Sequence, residues 1–290
     1  MCDRSGFPAG HPLSDTVTRR GAGSVVSSST VTGGGHGRWT RLDKLAVPTQ
    51  IAAWLRDTRA VGYDQQHAAA VNMCDVLTKA LLDFTSQAVY LDGCAPDLTP
   101  SNVWVRRDGA AIVQVALGHG TAAVIGDRPA ADHPDAVVVA DAAALDAWVA
   151  GRIAAAFTPV FTAIHDQTRM GLRVMWGRVA DLLHAQMLRA AKDSGYDTGI
   201  AWRRAERLTD AIAHAVPKMS FRPRPFPVQG FDRAGGDWDG TWLVFGTCCF
   251  RYKADPARGF CNVCPLISDA GRSFAWMDTA PPAPRIAAAP

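Results

Sequence analysis

The chain has 290 residues, 30 Lys+Arg against 27 Asp+Glu, and a formal net charge of +3. About half of it is apolar and a fifth charged, which fits a globular protein of one large domain or two small ones and leaves no nucleic-acid footprint in the charge. Apolar stretches are broken by Asp, Gly or Pro before 18 residues and the N-terminus has no apolar signal core, so the sequence predicts no membrane helix and a cytoplasmic protein.

Residues 1–38 are rich in Gly, Ser and Thr, with Ser27-Ser28-Ser29 and Gly33-Gly34-Gly35, and read as a disordered leader. Order is expected from Trp39. Thr49 suits the start of a short helix carrying Ile51, Trp54 and Leu55. A longer helix over 64–87 follows, its face made by Val71, Cys74, Leu77, Leu81 and Phe84. Residues 102–106 and 111–115 flank Asp108-Gly109 and read as a β-hairpin, and 136–140 as another strand. Asp141 caps a helix bearing Leu145, Trp148, Val149 and Ile153, and Thr158-Pro159 reads as the start of a fresh one.

The strongest helix is 170–192, with Leu172, Met175, Trp176, Val179, Leu182, Leu183 and Met187 as its stripe; another spans 201–216. Pro217, Pro223, Pro225 and Pro227 then force an extended segment, and 241–245 reads as a strand. The fold class is α+β: a mostly helical body over 39–216 with a small antiparallel sheet, a small C-terminal segment over 217–278 that carries the cysteine cluster, and a disordered tail over 279–290.

The informative count is seven cysteines, unevenly spread. Cys74 lies on an apolar helix face, Cys2 in the leader and Cys94 in a loop. Cys248 and Cys249, eleven residues, then Cys261-Asn262-Val263-Cys264-Pro265-Leu266 place four thiols within seventeen residues. That density, without a secretion signal, points to a metal and not to disulfides. The adjacent first pair would point to opposite faces of an extended strand, so a shared metal requires a kinked backbone. All-thiolate ligation suits zinc or iron–sulfur. The irregular spacing slightly favours a two-iron cluster, which presents two metal centres.

Cys248-Cys249-Phe250-Arg251-Tyr252-Lys253 through Cys261-Asn262-Val263-Cys264-Pro265-Leu266 resembles the C-terminal signature of the siderophore ferric-iron reductase family, the FhuF-like proteins. Chain length, the terminal position of the motif and Met175-Trp176-Gly177-Arg178 on the central helix are similar too. Two departures stand out: a loop of eleven residues instead of ten, and Gly246-Thr247 where the family often has a basic residue. The resemblance implies a [2Fe-2S] cluster on Cys248, Cys249, Cys261 and Cys264, and reduction of ferric siderophores, chiefly hydroxamates, in the cytoplasm. It further implies an electron donor such as a ferredoxin or flavin reductase, and peripheral contact with an importer at the inner face of the membrane. Arg251, Lys253 and Arg258, inside the motif, would favour a more negative reduced cluster or dock an acidic donor; solvated surface charge is an equal reading in a chain with 25 Arg and five Lys. A zinc-stabilised binding module, and a [2Fe-2S] electron-transfer or iron-sensing protein without a siderophore site, are the competing readings.

The remaining features carry less. His165, His184 and His214 fall on helices and read as packing or surface residues. Trp202 is expected at an exposed helix start, and Trp238, Trp242 and Trp276 around the cysteines. Gly33-Gly34-Gly35-His36-Gly37 follows no strand and opens no helix, so no nucleotide fingerprint is present.

Overall fold

The computed structural model describes residues 7, 10–20, 25–27, 39–228 and 240–272. A short helix α1 (Ser14–Arg20) and strands β1 (Val25–Ser27) and β2 (Trp39–Arg41) lead into α2 (Leu42–Leu45), α3 (Pro48–Ala60) and the long α4 (Gln66–Gln87). After one π-helical turn come β3 (Cys94–Pro96), β4 (Val103–Asp108), β5 (Ala111–Leu117), β6 (Ala122–Ile125) and β7 (Ala136–Val139). Three helices follow: α5 (Ala142–Thr168), α6 (Leu172–Asp193) and α7 (Thr198–Ala215). Strands β8 (Arg224–Val228) and β9 (Gly240–Val244) and the single-turn helix α8 (Arg251–Ala254) complete the described chain.

The result is the α+β, mostly helical architecture that the periodicities imply. The β-content is divided into three sheets. One has the order β1-β5-β4-β2, another β3-β6-β7, and β8 pairs with β9. The β4–β5 hairpin turns on Asp108-Gly109, with Gly109 at φ 55°, the left-handed conformation that the turn demands. Two edges are parallel, β1 on β5 and β7 on β6. β1 finds its partner far along the chain and β7 pairs with β6 across one 3-10 turn; local alternation reveals neither parallel pairing.

Helices α4 and α6 pack face to face at the centre. Met73, Leu77 and Leu81 of one and Met175, Val179, Leu183 and Met187 of the other are fully buried in one core. Such side chains, removed from water, supply the main folding force, about 1.5–3 kcal/mol each.

Five expectations are corrected. Leu13 and Val17 of α1, with Phe7, enter the main core, so the N-terminal stretch is not a structureless leader at these positions. Seven helical residues are too few to print a period. The remainder of 1–38, the tail 279–290, and Cys2, Trp238 and Trp276 lie outside the described residues.

Thr158-Pro159 starts no new helix: α5 runs through Pro159. Phe157, Val160 and Phe161 are fully buried around it, and Thr158 Oγ1 donates to the Ala154 carbonyl. Packing on both sides outweighs the one backbone hydrogen bond that proline removes. Helix α5 is also long and apolar enough to cross a membrane, contrary to the sequence reading; here Leu145, Ile153, Phe157, Phe161 and Ile164 are spent on the core. Finally, Cys94 is not an exposed loop thiol but a buried strand residue, and Trp202 is 7 % exposed, its ring 4.6 Å from that of His184.

Candidate metal centre

The four cysteines sit where the C-terminal segment crosses α4 and α6. Beneath them is Arg178, 1 % exposed, in the middle of α6. Its Nε and Nη2 donate to the two carboxylate oxygens of Asp75 on α4 at 2.7 and 3.0 Å. Its Nη1 donates to Asp181 at 3.0 Å and to the Thr247 carbonyl at 3.2 Å. Burial opposes the Arg178 charge, and Asp75 and Asp181 reverse that, leaving its pKa above the ordinary value.

Asp181 completes the clamp. It accepts the Gly246 N–H at 2.7 Å, the Thr247 N–H at 3.1 Å and the Thr247 hydroxyl. Burial pushes its carboxyl up to about 6, against the pull of Arg178 and these donors. One guanidinium and one carboxylate thus fix the backbone immediately before Cys248.

Space accounts for the glycine before the cysteine pair. A Cβ on Gly246 would lie 2.3 Å from the Arg222 carbonyl oxygen, and one on Gly177 would lie 2.5 Å from Thr247 Cγ2. At Gly177 the segment crowds helix α6, and at Gly246 it crowds the Arg222 backbone, so neither position has room for a larger residue.

Directly after the adjacent pair the chain turns at Phe250, a non-glycine residue at φ 54°. The turn brings backbone donors onto sulfur: Phe250 N–H to Cys248 Sγ at 3.4 Å, and Arg251 N–H to Cys249. On the other side Leu266 N–H points to Cys264 Sγ at 3.4 Å. Such N–H···S contacts favour thiolates and tune a bound metal. The Cys261 thiol donates to Cys249 across the gap; this holds Cys249 down to about 6 and pushes Cys261 up. Burial raises Cys248.

A second buried arginine, Arg272, secures the Cys261–Cys264 arm. It donates to the carbonyls of Asn262 at 2.6 Å, Cys264 at 2.8 Å and Ile267 at 3.1 Å. Each cysteine pair therefore rests on its own arginine fork. Neither Arg178 nor Arg272 was singled out as a site residue, because an Arg-rich sequence hides them. Asp181, at i+3 from Arg178 on the apolar helix, is the signal that was available.

The donor set fits an all-thiolate metal group. Cys249 and Cys261 meet across the gap between two cysteine-bearing arms, with backbone N–H groups on the sulfurs of Cys248, Cys249 and Cys264. A single tetrahedral ion would hold its sulfurs roughly 3.8 Å apart. Among the described residues, the one His/Cys/Asp/Glu group with all its donor atoms within 4.8 Å of one another is His11, His133 and Asp135, not the cysteines.

The His11 group is a poor ligand set. His11 Nδ1 accepts the Leu13 N–H at 3.0 Å, and His133 Nδ1 accepts the Asp135 N–H at 3.1 Å. In a neutral imidazole whose Nδ1 accepts, Nε2 carries the proton and has no lone pair for a metal. Asp135 Oδ2 lies 3.6 Å from His11 Nε2, so the group is polar packing that ties the N-terminal residues to the body.

A cavity of about 310 Å³ opens directly on Cys249 and Cys261. Trp242 and Phe245 form walls, and Lys79, Arg189 and Arg251 line it with Gln186. Gln186 is 6 % exposed and its Oε1 has no hydrogen-bond partner among the described residues. Burial lowers the Lys79 pKa, and the nearby Arg251 and Arg178 charges act in the same sense. Of the basic residues inside the motif, Arg251 reaches this cavity; Lys253 stacks on the Phe250 ring at 5.3 Å.

No family model matches the chain, no curated protein is detectably similar to it, and no solved structure matches it.

Proposed function

We propose that the chain is a cytoplasmic ferric-siderophore reductase whose Cys248, Cys249, Cys261 and Cys264 hold a [2Fe-2S] cluster. The observation that carries this reading is the cavity opening on Cys249 and Cys261: a chelate seated there lies against the ligands of a redox centre. When bound, the cluster supplies one electron at a time. Fe(III) in the chelate becomes Fe(II), with no proton transferred and no bond made in the electron step. Hard oxygen donors hold Fe(II) weakly, so iron is released.

The roles of the chain's own residues follow from their positions. Trp242 and Phe245 provide apolar walls for the ligand skeleton. Gln186 Oε1 accepts from a donor on the ligand, which relieves a buried orphan acceptor. Arg178, Lys79 and Arg251 place positive charge around Cys249 and favour the more reduced, more negative state of the centre. The electron enters from a one-electron donor of the ferredoxin or flavin-reductase kind.

The test is ferric tris-hydroxamate reduction by the dithionite-reduced protein, with a ferrous chelator trapping the product. Cys248→Ser is expected to lose at least about 90 % of cluster and activity together, as loss of one of four ligands implies. Full activity in that variant would overturn the ligand assignment. A clustered wild-type protein that reduces no ferric chelate would leave an electron-transfer protein instead.

A further inference from the structure

A second cavity, of about 570 Å³, lies across α6 from the cysteines, and the proposed reduction makes no use of it. Arg203, Glu206, Arg207, Thr209 and Asp210 of α7 line it, together with His184 of α6 and Arg222. Three guanidiniums thus face one space. Arg222 is anchored, donating to the Met219 carbonyl at 2.6 Å and lying 3.7 Å from Asp210. Among the described residues no ion pair engages Arg203, Glu206 or Arg207.

Two buried polar groups point to a ligand. Thr209 is 1 % exposed, and its hydroxyl has no hydrogen-bond partner among the described residues. A threonine inside a helix commonly satisfies that hydroxyl on the preceding turn, as Thr58, Thr85, Thr158 and Thr168 do here. Thr209 does not, and its orphan hydroxyl is costly to bury. His184 is 1 % exposed, and its Nδ1 sits 2.9 Å from the Ala180 carbonyl oxygen. A carbonyl only accepts, so Nδ1 carries the proton and Nε2 keeps a lone pair. Burial keeps the ring neutral, its pKa held down to about 4.

We propose that this cavity binds a phosphate monoester of a small polyhydroxylated molecule. Planar guanidinium forks match phosphate oxygens, and the Thr209 hydroxyl is a further donor to them. The acceptors define the other end of the ligand. Glu206, Asp210 and His184 Nε2 call for hydroxyl donors and would repel a bare anion. A sugar phosphate satisfies both ends, and the volume leaves room for more than phosphate alone.

Titration calorimetry on the full chain at low salt, with ribose 5-phosphate, inorganic phosphate, sulfate and ribose as probes, tests this. One ribose 5-phosphate per chain is expected, at least about fivefold tighter than phosphate, with ribose alone not binding. The double variant Arg203→Gln/Arg207→Gln is expected to weaken it about tenfold or more. Thr209→Val removes the orphan hydroxyl at constant shape, so a merely structural threonine predicts an equally stable protein with unchanged affinity. A several-fold loss of affinity in a stably folded Thr209→Val protein supports the site. Equal affinity for sulfate, phosphate and ribose 5-phosphate, no binding, or wild-type affinity in Thr209→Val would each overturn it.

Discussion

Arg178 shows how one residue ties folding to the metal centre. Its fork joins α4, through Asp75, to the backbone before Cys248, through Asp181 and Thr247. Removing it strands two buried carboxylates, which costs far more than the pair is worth against apolar substitutes. Arg178→Met is therefore expected to lower stability by about 3–5 kcal/mol in urea unfolding. A loss under about 1 kcal/mol would mean that the clamp is dispensable.

His184 makes a second prediction at this scale. Its folded pKa of about 4 lies below the usual histidine value of 6.5. Between those values the unfolded chain binds the extra proton, so stability is full above 6.5 and falls as pH drops towards 4. The contribution is on the order of 3 kcal/mol. Asp181, raised to about 6, works in the opposite sense, so the informative quantity is the difference between wild type and His184→Asn. Wild type is expected to lose stability relative to the variant as pH drops from 6.5 towards 4; parallel curves would contradict a buried neutral imidazole.

At the scale of elements, helix α6 is the hub. One flank supports the cysteine segment and another faces the arginine-lined cavity, while its apolar stripe joins the core. That stripe was legible in the sequence, as were α4, the β4–β5 hairpin and the Asp141 cap, because each repeats a local pattern. The parallel edges β1–β5 and β6–β7 were not: the first joins strands far apart in the chain, and the second is a parallel pairing that local alternation does not distinguish from a hairpin. Proline at 159 misled because local propensity yields to burial of Phe157 and Phe161. The close approach of the Arg222 backbone to the segment before Cys248 predicts opposite outcomes for two glycines. Gly246→Ala would press a Cβ onto the Arg222 backbone and is expected to cost on the order of 3 kcal/mol. Gly151→Ala, exposed in α5 with nothing within 4 Å, should stabilise by up to about 1 kcal/mol. Thermal unfolding of both variants reads the contrast, and an unaffected Gly246→Ala protein would show that the segment sits more loosely.

At the scale of the whole molecule, the C-terminal segment is built into the body. Leu243 packs with Leu188, Ala191 and Trp202, and Phe250 leans on the main core. The four cysteines themselves were legible from density and spacing. Their supports were not: Asp75 is 103 residues from Arg178, and Arg272 works through backbone carbonyls that no motif records. The cationic lining of the cavity likewise draws on α4, α6 and the motif together. The proposed electron-transfer role rests on this arrangement of four cysteines between two arginine forks beside an open cavity.

The most direct test is the visible absorption spectrum of anaerobically purified protein with its iron, zinc and sulfide content. The account predicts a red-brown protein with about two irons and two inorganic sulfides per chain, its colour bleaching on one-electron reduction. A colourless protein carrying about one zinc per chain would contradict it.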